Sequence, residues 1–292
     1  MNNRNEGLGR GRQDAAAAGP AGSQWRRFRG LWAAPVVVIA LLAGIEIYVW
    51  FVAPNDAGEQ SLRAAIVDQL AATDDNPAFV AEATANLEYA GYAVDYYAKD
   101  EINVELFRNL PRHGYDLVLV RSHMGQLQER PAVGLAEVAG GLALVPGLVS
   151  EPVASIFTNE AYSLETHVPE QRARMLSVAS YLPPREATQL FGIMPEFILS
   201  RSRGNYNGAT IILMGCGGPG SEQLAQAFLR KGASAVVGWD DLVTALHTDR
   251  ATQDLLTNML AGRMGVHDAV ARTMAQIGPD ASFGASLRTY TY

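Results

Sequence analysis

The sequence predicts an α/β protein with a mainly parallel central sheet, preceded by one transmembrane helix. Short β-rich runs alternate with helical runs along most of the chain, which is typical of a parallel sheet. A separate apolar run near the N-terminus, residues 31–53, contains one ionisable group, Glu46, and is long enough to cross a bilayer as a helix. Residues 54–292 contain no long linker or repeat, so we predict a single domain there.

The charges on either side of the apolar run predict its orientation. Residues 1–30 are rich in Gly, Ala and Arg, so we predict a disordered basic tail. Arginines abut the start of the run, whereas Asp56 and Glu59 follow its end, which favours a cytoplasmic N-terminus and an extracytoplasmic domain in a single-pass protein of the cell membrane. A cleaved signal peptide is the alternative, but the run is longer than a signal peptide needs, and bulky Phe51 occupies the expected cleavage site. The lipid bilayer is therefore an expected partner through residues 31–53.

The composition excludes several classes of protein. The 292 residues carry a net charge of −7, and 48% of them are hydrophobic, so the chain is unlike a disordered protein or one that grips nucleic acid. Its single cysteine, Cys216, rules out an intrachain disulfide framework and a zinc site built from several thiolates. We therefore predict no nucleic-acid partner, no metal and no cofactor, and the composition does not predict an oligomeric state.

The elements of the domain can be taken in chain order. The run 62–70 fits either a strand or a continuation of the membrane helix, and Thr73 to Pro77 then form a turn and a helix start. Further strands are predicted at residues 92–97, 115–121, 154–158, 209–214, 233–238 and 286–292. Helices are predicted at residues 78–90, 104–110, 169–179, 221–231, 249–262 and 266–276, and residues 126–150 are expected to be irregular.

Two residues with nucleophile and base chemistry follow the most apolar strands. His123 comes after YDLVLVRS, and Cys216 comes after ATIILMG. Ligands bind outside the carboxyl ends of strands in open parallel sheets, so the two side chains would meet there if the strands are neighbours. An imidazole and the start of a helix both favour a thiolate, and the glycines around Cys216 let backbone amides face an oxyanion.

Two other interpretations of these residues remain open. A lone Cys at the end of a buried strand is often an inert core residue, and a lone His after a strand is often a loop residue. Gly215, Gly217 and Gly220 also form G-x-G-x-x-G before a helix, with Asp240 further on, which is formally a dinucleotide-binding fingerprint. His113, His167, His247 and His267 are interpreted as surface residues.

From residue 62 onward the sequence resembles the caspase-like cysteine peptidases, the group that includes gingipains, separases and CHAT domains. The resemblance is carried by YDLVLVRSHMG (residues 115–125), by ATIILMGCGG (residues 209–218) and by LAQAFLRKGASAVVGWDDLV after them. It implies a three-layer α/β/α sandwich in which 62–70 is the first strand. Two departures stand out, since Met124 separates His123 from Gly125, and Gly215 stands where caspases commonly have Ala.

The resemblance also implies roles for individual residues. Cys216 would be the nucleophile and His123 the base, with Gly125 and the amides of Cys216 and Gly217 as the oxyanion hole. The primary specificity pocket would then be built by Trp239, Asp240 and Asp241, and an acid there would favour Arg or Lys before the scissile bond. Glu160 is a candidate acidic partner of His123, and loops within 126–150 and 160–208 could hold sites of internal cleavage.

The expected function is that of a membrane-anchored cysteine endopeptidase that hydrolyses peptide or protein substrates through a thioester acyl-enzyme. A catalytically inactive binding or scaffold module on the same fold is the second hypothesis. A nucleotide-binding domain built on the glycine-rich loop is the third. The sequence does not identify the substrate or the activation trigger.

Overall fold

A six-stranded sheet forms the centre of the domain. The computed structural model describes residues 61–127, 135–138, 141–144, 153–180, 189–218 and 221–292, so the predicted tail (1–30) and membrane run (31–53) lie outside the described residues. The sheet strands are β1 (Arg63–Asp68), β2 (Ala93–Ala98), β3 (Leu117–Arg121), β10 (Thr210–Leu213), β11 (Ala235–Trp239) and β12 (Leu287–Tyr290). Their spatial order is β2-β1-β3-β10-β11-β12, and every pairing is parallel except that of β11 with β12. The α/β class with a mainly parallel sheet is therefore confirmed.

Seven helices are found in the described part of the chain. They are α1 (Pro77–Tyr89), α2 (Val104–Asn109), α3 (Val168–Arg172), α4 (Pro195–Arg201), α5 (Ser221–Arg230), α6 (Ala245–Leu260) and α7 (Val266–Ile277). No helix among the described residues is long and apolar enough to cross a membrane.

Helices cover both faces of the central sheet. Alternate residues of β1 belong to different apolar clusters, with Ala65 and Val67 in one and Ala64 and Ile66 in the other. The first cluster takes side chains from α2, α4 and α5, and the second takes side chains from α1, α6 and α7. Because side chains of a strand point alternately to opposite faces, the sheet lies between two layers.

The run 62–70 is β1 followed by a short 3-10 turn, Gln69–Ala72, and not a continuation of a helix. Helix α1 then starts as its sequence dictates. The side chain of Asn76 accepts a hydrogen bond from the Phe79 amide, and Pro77 takes the first helical position, where its missing N–H is harmless. The chain leaves the helix through Gly91, whose positive φ of 91° favours glycine.

A second sheet has four antiparallel strands, in the order β4-β7-β9-β8. They are β4 (Met124–Leu127), β7 (Val153–Ala161), β8 (Leu176–Ala179) and β9 (Leu190–Ile193). Buried side chains of this sheet, including Ile156 and Phe191, join the apolar cluster that contains α2, α4 and α5. Strand β4 directly follows the His123 segment, so the second sheet continues from the edge where the central strands end.

Three predictions about the elements were wrong. The predicted helix 169–179 is the single turn α3 followed by strand β8, because the amphipathic pattern of that run serves a half-buried strand as well. Residues 126–150 include a hairpin of β5 (Leu135–Val138) and β6 (Gly141–Leu144). Within 160–208, β9 and α4 were not predicted. In addition, α6 begins at Ala245, four residues before the predicted start, and Thr244 is its N-cap.

Candidate functional site

His123 and Cys216 follow adjacent strands in the same register. Strands β3 and β10 pair in parallel from Leu117 opposite Thr210 to Val120 opposite Leu213. Both residues lie three positions beyond the last pair, so both lie at the carboxyl edge of the sheet, on neighbouring loops. The backbone of Gly215 lies against the Ser122–Met124 segment, because a Cβ added there would overlap the Ser122 carbonyl and lie 2.6 Å from Met124 Cγ.

The His123 imidazole faces the turn that follows β1. Its Nε2 lies 3.1 Å from Thr73 Oγ1 and 3.5 Å from Asp74 Oδ2. The main-chain N–H of His123 donates to Gln69 Oε1 at 2.9 Å. About a third of the imidazole side chain is exposed, so one part of the ring remains reachable from solvent.

Burial lowers the pKa of His123 below its ordinary value. Asp74 opposes this effect by favouring the imidazolium, whereas the positive charge of Arg121 lowers the pKa further. The imidazole is therefore neutral at neutral pH, which is the form that can accept a proton.

Cys216 is half-buried in the loop between β10 and α5. Its Sγ lies 3.6 Å from the carbonyl oxygen of Val243, at the start of the segment that leads into α6. The following residue, Gly217, packs directly against the Trp239 carbonyl, so a side chain has no room there. The thiol-bearing loop is therefore held between the ends of β3 and β11.

The predicted oxyanion donors differ in how they are used. The amide of Gly217 donates to the carbonyl oxygen of Asp241 at 2.8 Å, so in this arrangement its N–H is committed to the protein. Gly125 lies within β4, where its backbone pairs with Ser155 in β7. The amide of Cys216 remains a candidate donor beside the thiol.

The three residues of the predicted specificity pocket make different contacts. Trp239 is 1% exposed and packs in the core, where its indole N–H donates to Thr248 Oγ1 at 2.8 Å. The Asp240 carboxylate binds Arg288 at 2.7 Å and accepts the Ser286 amide, so it ties β11 to β12. Asp241 differs, because its carboxylate is exposed and accepts only a local bond from the next amide among the bonds described.

The remaining acid and base candidates serve other contacts. Glu160 lies 2.7 Å from His167 Nε2 and accepts the Val104 amide, so it is not the partner of His123 that we expected. The imidazole of His247 packs against the Trp239 ring at 5.3 Å. Sequence reasoning did not identify Thr73 or Asp74 as neighbours of His123. Their position in the turn after β1, the strand that pairs with β3, was a usable signal.

Contacts of the glycine-rich loop argue against a dinucleotide site. The close backbone approaches that Gly215 and Gly217 permit are made to Ser122, Met124 and Trp239, not to open space. The acid that would bind a ribose in the fingerprint, Asp240, is paired with Arg288. Within the described ranges, no group of three or more His, Cys, Asp or Glu residues is arranged to hold a metal ion.

No protein-family model matches the chain, and no curated protein matches it at a significant level.

Proposed function

We propose that this protein is a membrane-anchored, caspase-like cysteine endopeptidase in which Cys216 is the nucleophile and His123 is the base. The observation that supports the proposal is the pairing of β3 with β10, because His123 and Cys216 follow these neighbouring strands at the edge where parallel sheets bind ligands. The anchor would be residues 31–53, with the N-terminus in the cytoplasm and the domain on the extracytoplasmic side.

In this proposal the imidazole has two distinct nitrogens. Nε2 faces Thr73 and Asp74, which would orient the ring and stabilise the imidazolium. The imidazole would take the proton from the Cys216 thiol. The lowered pKa of His123 supports the base role, since it keeps the ring neutral before the reaction begins.

The chemistry follows from these roles. The thiolate of Cys216 adds to the substrate carbonyl carbon, and the oxyanion that forms is stabilised by nearby amide donors, with the Cys216 amide as the first candidate. The imidazolium returns its proton to the leaving amine as the C–N bond breaks, which leaves a thioester on Cys216. Water, deprotonated by His123, then hydrolyses the thioester and regenerates the thiol.

The direct test is alkylation of the only thiol in the chain by iodoacetamide. An ordinary thiol is only about 3% ionised at pH 7, so a neutral imidazole that takes the thiol proton accelerates alkylation, and its loss should lower the rate by about tenfold or more. We expect this fall in His123→Ala of the full-length protein. His267→Ala, which removes an exposed histidine of α7, serves as the control and should alkylate at the parent rate. Equal rates in the parent and His123→Ala would reject the proposal.

Substrate preference gives a second prediction. Since Asp240 is paired with Arg288 and Asp241 is exposed beside the Cys216 loop, any preference for a basic residue before the scissile bond should depend on Asp241. We expect Asp241→Asn to lower by about tenfold the ratio of Cys216 labelling rates by arginyl and leucyl acyloxymethyl ketones, because one charge-assisted bond is lost. Asp240→Asn should change this ratio less than about twofold. Loss of the preference in Asp240→Asn alone would contradict the assignment.

A further inference from the structure

A buried ionic cluster lies directly beneath the His123 loop. Arg121, the last residue of β3, is 1% exposed and donates from Nε and one terminal nitrogen to the two oxygens of Asp249 in α6, at 2.7 and 2.9 Å. Its other terminal nitrogen donates to Asp68 Oδ1 at 2.8 Å. Both carboxylates are buried as well. One guanidinium thus joins the ends of β1 and β3 to a helix on one face of the sheet.

The same cluster holds the turn between β1 and α1. Arg121 donates to the main-chain carbonyl of Asp74 at 2.8 Å. Asp68 accepts the Ala71 amide, and Asp249 accepts the Asn76 side-chain amide at 2.8 Å. The turn is therefore fixed near its start, at its middle and at its end by bonds to the cluster.

The middle of this turn is the part that faces the imidazole. Thr73 and Asp74 present their side chains to His123 Nε2, while the Asp74 carbonyl, on the other side of the same residue, accepts from Arg121. We infer that Arg121 is a positioning residue of the site, which fixes the turn 69–76 so that Thr73 and Asp74 orient the His123 imidazole. The catalytic consequence of this role rests on the proposed function, whereas the positioning itself does not.

The chemistry of the side chain explains why arginine occupies this position. Four acceptor atoms from Asp68, Asp74 and Asp249 surround the guanidinium in directions that match its planar fork. A lysine ammonium retains the charge but concentrates it at one nitrogen, which cannot meet acceptors on three separate segments at once. A buried ion group of this kind contributes little net stability compared with apolar side chains of similar volume, so we assign Arg121 the role of fixing the conformation of the turn.

The test measures whether the effect of Asp74 on His123 passes through Arg121. Histidine labelled with ¹³C at Cε1 gives five signals in the full-length protein, and His123→Ala identifies the relevant one. In the parent, Asp74→Asn should lower the pKa of His123, because the carboxylate that favours the imidazolium is lost. In Arg121→Lys, where the turn is released, the same Asp74→Asn change should produce less than about a third of that decrease, the coupling expected of residues in one network.

Arg108→Lys is the matched control. Arg108 also binds two carboxylates, Glu105 and Glu170, and packs over an aromatic ring, but it lies in α2 away from this turn. In Arg108→Lys, Asp74→Asn should lower the pKa of His123 by as much as it does in the parent. If Arg121→Lys does not fold, Asp249→Asn replaces it in the same cycle, because it keeps the side-chain shape and removes the charge that orients the guanidinium.

An equal decrease from Asp74→Asn in the parent and in the Arg121 or Asp249 variant would overturn the inference. The outcome is separable from that of the proposed function. If Asp74→Asn and Arg121→Lys are coupled but the rate of Cys216 alkylation does not depend on His123, the positioning role stands and the peptidase proposal falls. If alkylation depends on His123 and the effects of the two substitutions simply add, the peptidase proposal stands and the positioning role of Arg121 falls.

Discussion

Arg121→Met should lower the free energy of unfolding at pH 7 by about 3–5 kcal/mol, the range for removing one partner of a buried ion group. Methionine fills much of the space of the arginine stem but leaves Asp68 and Asp249 buried without their cation. Urea titration of the full-length protein in mild micelles, followed by near-UV circular dichroism, measures the change. A loss below about 1 kcal/mol would mean that water replaces the guanidinium without penalty.

The loss of stability caused by Arg121→Met should become smaller as the pH falls. Burial already raises the pKa of Asp68 in the folded protein, and Arg121 is the main group that counteracts it. Without Arg121 this pKa rises further, so the folded state binds a proton at a pH where the unfolded chain, with an ordinary pKa near 4, does not. A carboxyl whose folded pKa is raised destabilises the protein above that pKa and is relieved below it. The variant should therefore approach the parent in stability as the pH falls from 7 toward the ordinary carboxyl pKa near 4.

A neutral version of the cluster provides the control. In Asp68→Asn combined with Arg121→Met and Asp249→Asn, no charge is buried, so a large part of the loss at pH 7 should be recovered. The pH dependence described for the single variant should also disappear. If the triple variant is as unstable at pH 7 as Arg121→Met, packing of the guanidinium and not uncompensated charge is responsible.

The strands of the central sheet and their order along the chain were accessible to sequence reasoning because their signals are local. Strands β3 and β10 are buried on both faces, so they appear as apolar runs, and the turn chemistry of Asn76 and Pro77 marks the start of α1. The helix predicted at residues 169–179 was wrong because a short amphipathic run does not distinguish α3 followed by β8 from one longer helix.

The site was only partly predictable because its contacts join distant segments. His123 and Cys216 could be identified, since each directly follows an apolar strand. Nothing local shows that Asp74 turns toward His123, or that Asp249 reaches Arg121 across 128 positions of sequence. The contact of Asp240 with Arg288 could not be predicted either, because it depends on the antiparallel pairing of β11 with β12.

Gly217→Ala should unfold the Cys216 loop or prevent folding altogether. A Cβ at this position would overlap the carbonyl group of Trp239, which belongs to a buried central strand and has no freedom to move. The hydrogen bond from the Gly217 amide to Asp241 would be lost in the same displacement. Overpacking in a core costs about 1–3 kcal/mol where side chains can yield, and backbone atoms yield less. Gly265→Ala, where a Cβ meets nothing within 4 Å, is the control and should leave the urea midpoint near that of the parent.

Gly215→Ala should slow the alkylation of Cys216 although the protein still folds. The Cβ of alanine would press on the Ser122 carbonyl and on the Met124 side chain, which belong to the segment that carries His123. The methionine can yield, but the Ser122 carbonyl is backbone, so we expect a loss of at least about 1–3 kcal/mol, smaller than that of Gly217→Ala because the overlap is less severe. Pushing the two loops apart should nevertheless slow alkylation of Cys216, and adding His123→Ala should then have little further effect. If Gly215→Ala keeps the parent rate and its full dependence on His123, the loops tolerate alanine there and the close approach at Gly215 does not control the reactivity of Cys216.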